Sequence, residues 1–416
     1  MNSTGTLRAF ATRMKLHALF FCALLLPLSA AGQNPQVSDT GFDLGDLPIP
    51  SWGQAILDSF SKPLHPVIGG VASSGGVGLG IGYDSPDDER WFREAEAMVT
   101  VRRYWSLEGE VGRRSGSKRS QIGVFGRVRH MGRLDYFGIG PDTVSENRSA
   151  FRLRDTTIGT RGWFRPVPAV RIGGIVAGYM PDLGRGTHPS VPSIEEVFAP
   201  ASVPGFAAEP TFGRYRGFVE FTHPGPDTFD TVDDLDGYRG AYQLAFEAVR
   251  DHDTGRHDFH RWETEVQQRI PGIRSGHRLT LHGFLASTNA GSDVPFYMLY
   301  TLGGSGGLKT FRPDLLGGDG TRATLRAFRN YRFRDRDLVL MQAEYRIPLH
   351  RYVHASVFVD SGQVAPRTSD LFNDLRTTTG FSLSYVRNGR DLGRVDVGVG
   401  GGEGVQVFWS FGLFRE

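Results

Sequence analysis

Residues 338–349, LVLMQAEYRIPL, constrain the chain more than any other stretch. Val339, Met341, Ala343, Tyr345, Ile347 and Leu349 occupy alternate positions, with Gln342, Glu344 and Arg346 between them. Successive side chains of a strand point to opposite faces, so this run is a strand with one complete apolar face and one charged face. Such a strand suits a wall between lipid and a wet interior.

The same period recurs along the chain. Arg261, Glu263, Glu265, Gln267 and Arg269 share one face of a run whose other face carries Trp262, Thr264, Val266 and Ile270. Tyr242, Leu244, Phe246 and Ala248 alternate with Gln243 and Glu247, and Val405, Val407, Trp409, Phe411 and Leu413 line one face of the last run. Ten such runs precede Leu302 and five follow it. A single-chain transmembrane barrel normally has an even number of strands, so the expected fold is all-β: a transmembrane antiparallel β-barrel of sixteen strands. The strand not found is expected near Leu134 to Ile139 or within 183–215. Between Gly184 and Thr211 the pattern lapses, and Ser193-Ile194-Glu195-Glu196 reads as a capping box opening a short helix.

Composition agrees with this reading. The 416 residues include 55 glycines and are 12% aromatic. A mean hydropathy of -0.28 excludes a helical membrane bundle but not a barrel apolar on one side only. Residues 1–31 read as a secretory signal peptide: Arg8, Arg13 and Lys15 precede the apolar Leu16 to Leu28, and Ser29 and Ala31 supply a cleavage point. Cys22, the one cysteine, lies inside it. Residues 32–66 form a periplasmic N-terminal segment in which Trp52, Ile56 and Phe60 mark one short helix. The barrel is expected over 67–416. The formal net charge of +2 falls to about -1 once the signal is removed, which gives no footprint for nucleic acid.

The chain offers no catalytic set. Gly76, Gly78, Gly80 and Gly82 mimic a nucleotide fingerprint, but a turn (Asp84 to Asp88) follows where a helix would be needed. His252, His257 and His260 stand among Asp251, Asp253 and Asp258 in a polar connection without metal-ligand spacing. No Ser/His/Asp set stands out. The expectation is no enzyme activity, no cofactor and no metal.

The segments LGG (302–304), LRAFRNYRFRD (325–335), AEYRIPL (343–349) and FVDSG (358–362), with KPLHPVIGGVASSGG (62–76) and DYFGIGPD (135–142), resemble the BamA/TamA-like bacterial surface-antigen superfamily of outer-membrane barrels. The resemblance implies an extracellular loop folded into the lumen, its tip formed by Leu325, Arg326, Ala327 and Phe328. Arg326 would pair with Glu344 and Asp360 on the next two strands. Alternation agrees, because both acids lie opposite apolar faces. Ala327 stands where relatives have glycine, and the near-copy Leu308-Lys309-Thr310-Phe311 leaves Lys309 as the alternative to Arg326.

About 35 residues between the signal and the first strand leave no room for a POTRA domain, which identifies a barrel-only member. The resemblance implies a bacterial outer-membrane protein assisting insertion or translocation of proteins or lipids. Its partners would be outer-membrane lipid, unfolded outer-membrane proteins or a separate periplasmic protein. The alternative is a passive pore or structural outer-membrane protein. Gly76, Gly78, Gly80 and Gly82 on the first strand, and Gly400, Gly401 and Gly402 beside the last, would weaken a lateral seam there or else face a crowded lumen.

Overall fold

The structure, a computed structural model, describes residues 63–86, 90–207, 209–223, 238–289, 293–304, 325–387 and 390–410. The expected signal peptide (1–31), the helix expected within 51–60, Lys309 and the terminal residues 411–416 lie outside the described residues.

The strands are β1 (Leu64–Gly69), β2 (Gly78–Asp84), β3 (Trp91–Thr100), β4 (Trp105–Arg114), β5 (Ser120–Tyr136), β6 (Ser149–Val167), β7 (Val170–Arg185), β8 (Phe212–His223) and β9 (Arg239–Asp251). Then come β10 (Phe259–Pro271), β11 (Arg278–Asn289), β12 (Tyr300–Leu302), β13 (Phe333–Asp335), β14 (Asp337–His350), β15 (Val353–Ala365), β16 (Arg376–Arg387), β17 (Arg390–Val399) and β18 (Gln406–Ser410). Sixteen of them form one antiparallel sheet in chain order, with β14 following β11. The short β12 and β13 form a separate two-stranded ladder inside the long connection 290–336, and Arg334 of β13 also bridges to Gly140.

The strand missing from the periodicity is β1, not a segment near 134–139 or within 183–215. Leu134 to Tyr136 continue β5 beyond a register shift, and 183–185 complete β7. Within 186–211 the chain forms the short helix α1 (Ile194–Val197). Its expected capping box does not form: the Ser193 hydroxyl accepts from the Gly186 amide and donates to Glu195. β1 escaped because six residues beginning at Leu64 give little alternation, and Pro63 and Pro66 read as a break. Proline is tolerated in edge strands, which is where Pro66 sits. The barrel therefore starts at Leu64 rather than at residue 67, and the glycine-alternating run is the second strand, between β1 and β3.

The packing is inverted relative to a water-soluble domain. Leu79, Leu107, Val124, Leu244, Trp262 and Phe381 are exposed on the outer wall, whereas Arg214, Arg216, Glu247, Arg261 and Glu263 are buried inside. Such an arrangement is stable only where lipid covers the outside and ion pairs satisfy the inside. One end, carrying connections 137–148, 186–211 and 290–336, is closed by a packed apolar cluster. Phe296 makes edge contacts with Tyr136 and Phe151 at centroid distances of 5.3 and 4.9 Å, among Leu134, Tyr297 and Tyr331. The opposite end carries tight turns such as 168–169 and 351–352, and β1 begins there at Leu64.

Leu244, near the middle of β9 and facing outward, tests this orientation. Leu244→Arg is expected to lower the unfolding free energy in lipid vesicles by about 2–4 kcal/mol, the cost of a cation at mid-bilayer. Unaltered urea unfolding would contradict an outward, lipid-facing Leu244.

Candidate functional site

The site forms where the connection between β11 and β14 turns back into the barrel. β12 and β13 make a short ladder, and Gly304 bridges to Leu325 so that the tip projects beyond it. Leu325, Arg326, Ala327 and Phe328 are all buried. Leu325 and Phe328 pack with Tyr300, Leu302, Phe333, Leu340 and Val364 in one apolar cluster.

Register explains the receiving surface. Glu344, Phe358, Gly380 and Gly398 are successive cross-strand neighbours on β14 to β17. Asp360 lies one inward step from Phe358 on β15, and Asp396 one inward step from Gly398 on β17. A Cβ at Gly380 would overlap the Phe358 ring, and a Cβ at Gly398 would overlap the Arg326 carbonyl. These two glycines let the ring lie flat on the wall and the loop backbone come against it. The Arg326 guanidinium then stacks on Phe358, 3.5 Å from the ring centroid.

Arg326 joins its predicted partners. Nε and Nη2 donate to the two Asp360 oxygens at 2.8 and 2.7 Å, a bidentate pair, and the Arg326 amide donates to Asp360 Oδ2 at 3.2 Å. Nη1 donates to Glu344 Oε2 at 2.8 Å and to Asp396 Oδ1 at 3.4 Å. Arg394 closes the network, donating to both Glu344 oxygens at 2.8 and 2.7 Å, to Asp396 at 2.9 Å and to Ser382 at 2.8 Å. Two guanidiniums thus face three carboxylates. Burial by itself would lower the Arg326 pKa. The charge and hydrogen bonds of Asp360, then the charge of Glu344, outweigh it and hold the group above its ordinary value.

Arg394, Asp396 and Ser382 were not singled out from sequence, yet the signal was there. In GRVDVGVGG, Arg394, Asp396 and Gly398 alternate with Val395, Val397 and Val399. Ala327 adopts no positive φ, and Gly401 of the wall lies against the Ala327 carbonyl and the Phe328 ring.

The loop is held at further points. Tyr300 Oη donates to Glu263 at 2.8 Å, and Arg261 Nη1 donates to the Met298 carbonyl at 3.3 Å. Those wall residues belong to a buried network in which Glu247 accepts from Arg214 and Arg261, and Arg216 pairs with Glu263. Arg332 donates to the Thr143 carbonyl at 2.7 Å and pairs with Glu403. Asp335, in β13, is pushed up to about 6 by burial, against the opposing Arg336 amide and charge and helped by Asp337.

The remaining candidates separate. Gly78, Gly80 and Gly82 lie on β2, and a Cβ at Gly82 would meet His65 and Val67. They pack the inner surface of the second strand rather than forming the first. Gly76, Gly400 and Gly402 have φ of +73°, +106° and +74°, conformations that side chains resist. The His/Asp cluster is dispersed: Asp251 accepts from the Asp253 and Thr254 amides to shape its turn, and His257 Nδ1 lies 2.7 Å from the Asp293 carbonyl.

No family model matches the chain, and no curated protein matches it. Among solved structures it is similar to BamA from Haemophilus ducreyi lacking POTRA domains 1–3, with 13% identity and a TM-score of 0.51 over 88% of this chain and 75% of that one. It is also similar to CdiB from Acinetobacter baumannii, with 9% identity and a TM-score of 0.48 over 84% of this chain and 56% of that one. The likeness to BamA is one of fold: the chain has the architecture of an outer-membrane β-barrel.

Two tests follow from this geometry. Arg326→Ala leaves the Asp360 and Glu344 carboxylates facing each other, and breaking such a buried set costs about 3–5 kcal/mol. It should abolish the heat resistance of the folded barrel on unheated gels, and Gly398→Val should lower it through the Arg326 carbonyl. Wild-type melting in both variants would rule out the docked tip. Because the folded pKa of Asp335 exceeds its ordinary value, its penalty is absent at low pH and grows as pH rises from about 4 to about 6. Asp335→Asn should therefore melt like wild type near pH 4 and higher than wild type above pH 6; equal melting at both would contradict the buried carboxyl.

Proposed function

We propose that this chain resides in a bacterial outer membrane and assists insertion or translocation of proteins or lipids there, through a seam between its first and last strands. One observation carries the reading. Neighbouring barrel strands are paired throughout the order β1 to β18, but no register joins β1 to β18 among the described residues. β1 has six residues, against seventeen and nineteen in β5 and β6. An unpaired edge offers a row of free amides and carbonyls to another strand.

The docked loop fits this role. Arg326 braces β14, β15 and β17, next to the seam, so the last strands keep their shape while the edge beyond them stays available. A passive pore is the weaker reading, since packed aromatic side chains fill the lumen at the end with long connections. The proposed role requires a client that presents a strand edge of its own, such as an unfolded outer-membrane protein.

The test uses the purified mature chain in lipid vesicles. Folding of a urea-denatured outer-membrane barrel added outside should be accelerated several-fold over empty vesicles. No acceleration, together with large steady conductance in planar bilayers, would replace the insertion reading with the pore.

A further inference from the structure

We infer that the lumen holds a second site, built on Arg278 and Arg346, that takes a phosphoryl group. Arg278 and Arg346 are direct cross-strand partners on β11 and β14. They sit one inward step from the Thr280–Glu344 pair, toward the end with tight turns. Arg269 is paired to Thr280 from the other side, diagonal to Arg278. Side chains directly opposite on paired strands lie about 4.5–5.5 Å apart at Cβ, and like charges there are destabilising.

The carboxylates that could neutralise this pair are committed elsewhere or partial. Both Glu344 oxygens accept from Arg326 and Arg394. Asp391 reaches Arg346 with one oxygen only, and its other oxygen has no hydrogen-bond partner. Arg346 is 3% exposed, and its Nη2 also approaches the Ser384 hydroxyl at 3.3 Å. Its Nε and Nη1 have no partner among the described residues, and neither does Arg278 Nε. Ser356, directly opposite Arg346 on β15, is 2% exposed and its hydroxyl is also unpartnered. A buried donor without an acceptor costs about 1–3 kcal/mol, so this concentration of donors is expensive unless something accepts from them.

The donor set favours one chemistry. A guanidinium fork matches an oxyanion in bidentate fashion. Two forks and a hydroxyl approaching from three adjacent strands need acceptor oxygens in several directions, which a tetrahedral phosphoryl group has and a planar carboxylate lacks. Its charge also cancels the repulsion between Arg278 and Arg346. Half-buried Arg278 gives access from the lumen. The phosphoryl group can belong to a free phosphate or to an anionic lipid headgroup.

The experiment uses the mature chain folded in detergent, melted with inorganic phosphate or with chloride at equal ionic strength. Phosphate, and not chloride, should raise Tm by several degrees, and Arg278→Gln and Arg346→Gln should each abolish that rise. Arg103→Gln, an exposed cation in the 101–104 turn, should keep it. Without phosphate, Arg278→Gln should melt at or above wild type, because it removes a like charge; a purely structural arginine would give a lower Tm. Should Arg346→Gln not fold, Arg278→Gln carries the test alone. Vesicles of phosphatidylcholine with added phosphatidic acid separate the sources. Phosphatidate retained through extraction by wild type but not by Arg278→Gln assigns the site to lipid. A phosphate response without retention assigns it to a soluble phosphoryl group. No phosphate-specific shift in wild type, or an equal shift in Arg278→Gln, overturns the proposal.

Discussion

A single buried guanidinium organises the C-terminal half of this barrel. Arg326 has no exposed surface, and taking its charge out of water costs several kcal/mol before any partner is counted. It stays buried because Asp360 accepts two of its N–H groups in a planar fork, Glu344 and Asp396 accept from a third nitrogen, and Phe358 covers one face. Those partners lie on β14, β15 and β17. The loop therefore fixes the relative positions of three wall strands, and the wall fixes the loop. An emptied site would leave the three carboxylates Glu344, Asp360 and Asp396 with the single guanidinium of Arg394.

Much of this was readable in the residues, and the failures have physical causes. Strict period-two alternation exposed nearly every strand of ten or more residues, because lipid outside and charge inside make the two faces maximally different. The edge strand β1 was hidden by its brevity and by Pro66, and that same proline sits where no further strand pairs among the described residues. Arg326, Glu344 and Asp360 came from the family resemblance joined to alternation. Arg394 and Asp396 obey the same alternation but carry no motif, so they became visible only when register placed them beside Glu344. The glycines were noticed for the wrong reason. Gly398, unremarked in the sequence, admits the loop backbone, whereas the β2 glycines relieve crowding on the inner face.

The interior divides into regions of different electrostatic character. Around Arg326 and across β8 to β10, positive and negative groups are matched and hydrogen-bonded, which gives a rigid wall. At the long-connection end, an aromatic cluster packs against buried cations such as Arg334. Toward the tight-turn end, Arg278 and Arg346 face each other with too few carboxylates. Buried charge that is matched stabilises one conformation; buried charge that is unmatched is where a ligand gains most by binding.

Arg326 and Asp360 are energetically coupled across the lumen. A double-mutant cycle of Arg326→Ala and Asp360→Ala, read by reversible unfolding in lipid vesicles, measures this directly. The expected coupling energy is about 2–3 kcal/mol, at the upper end for residues sharing one buried network. Additive effects, with coupling within about 0.5 kcal/mol of zero, would contradict it.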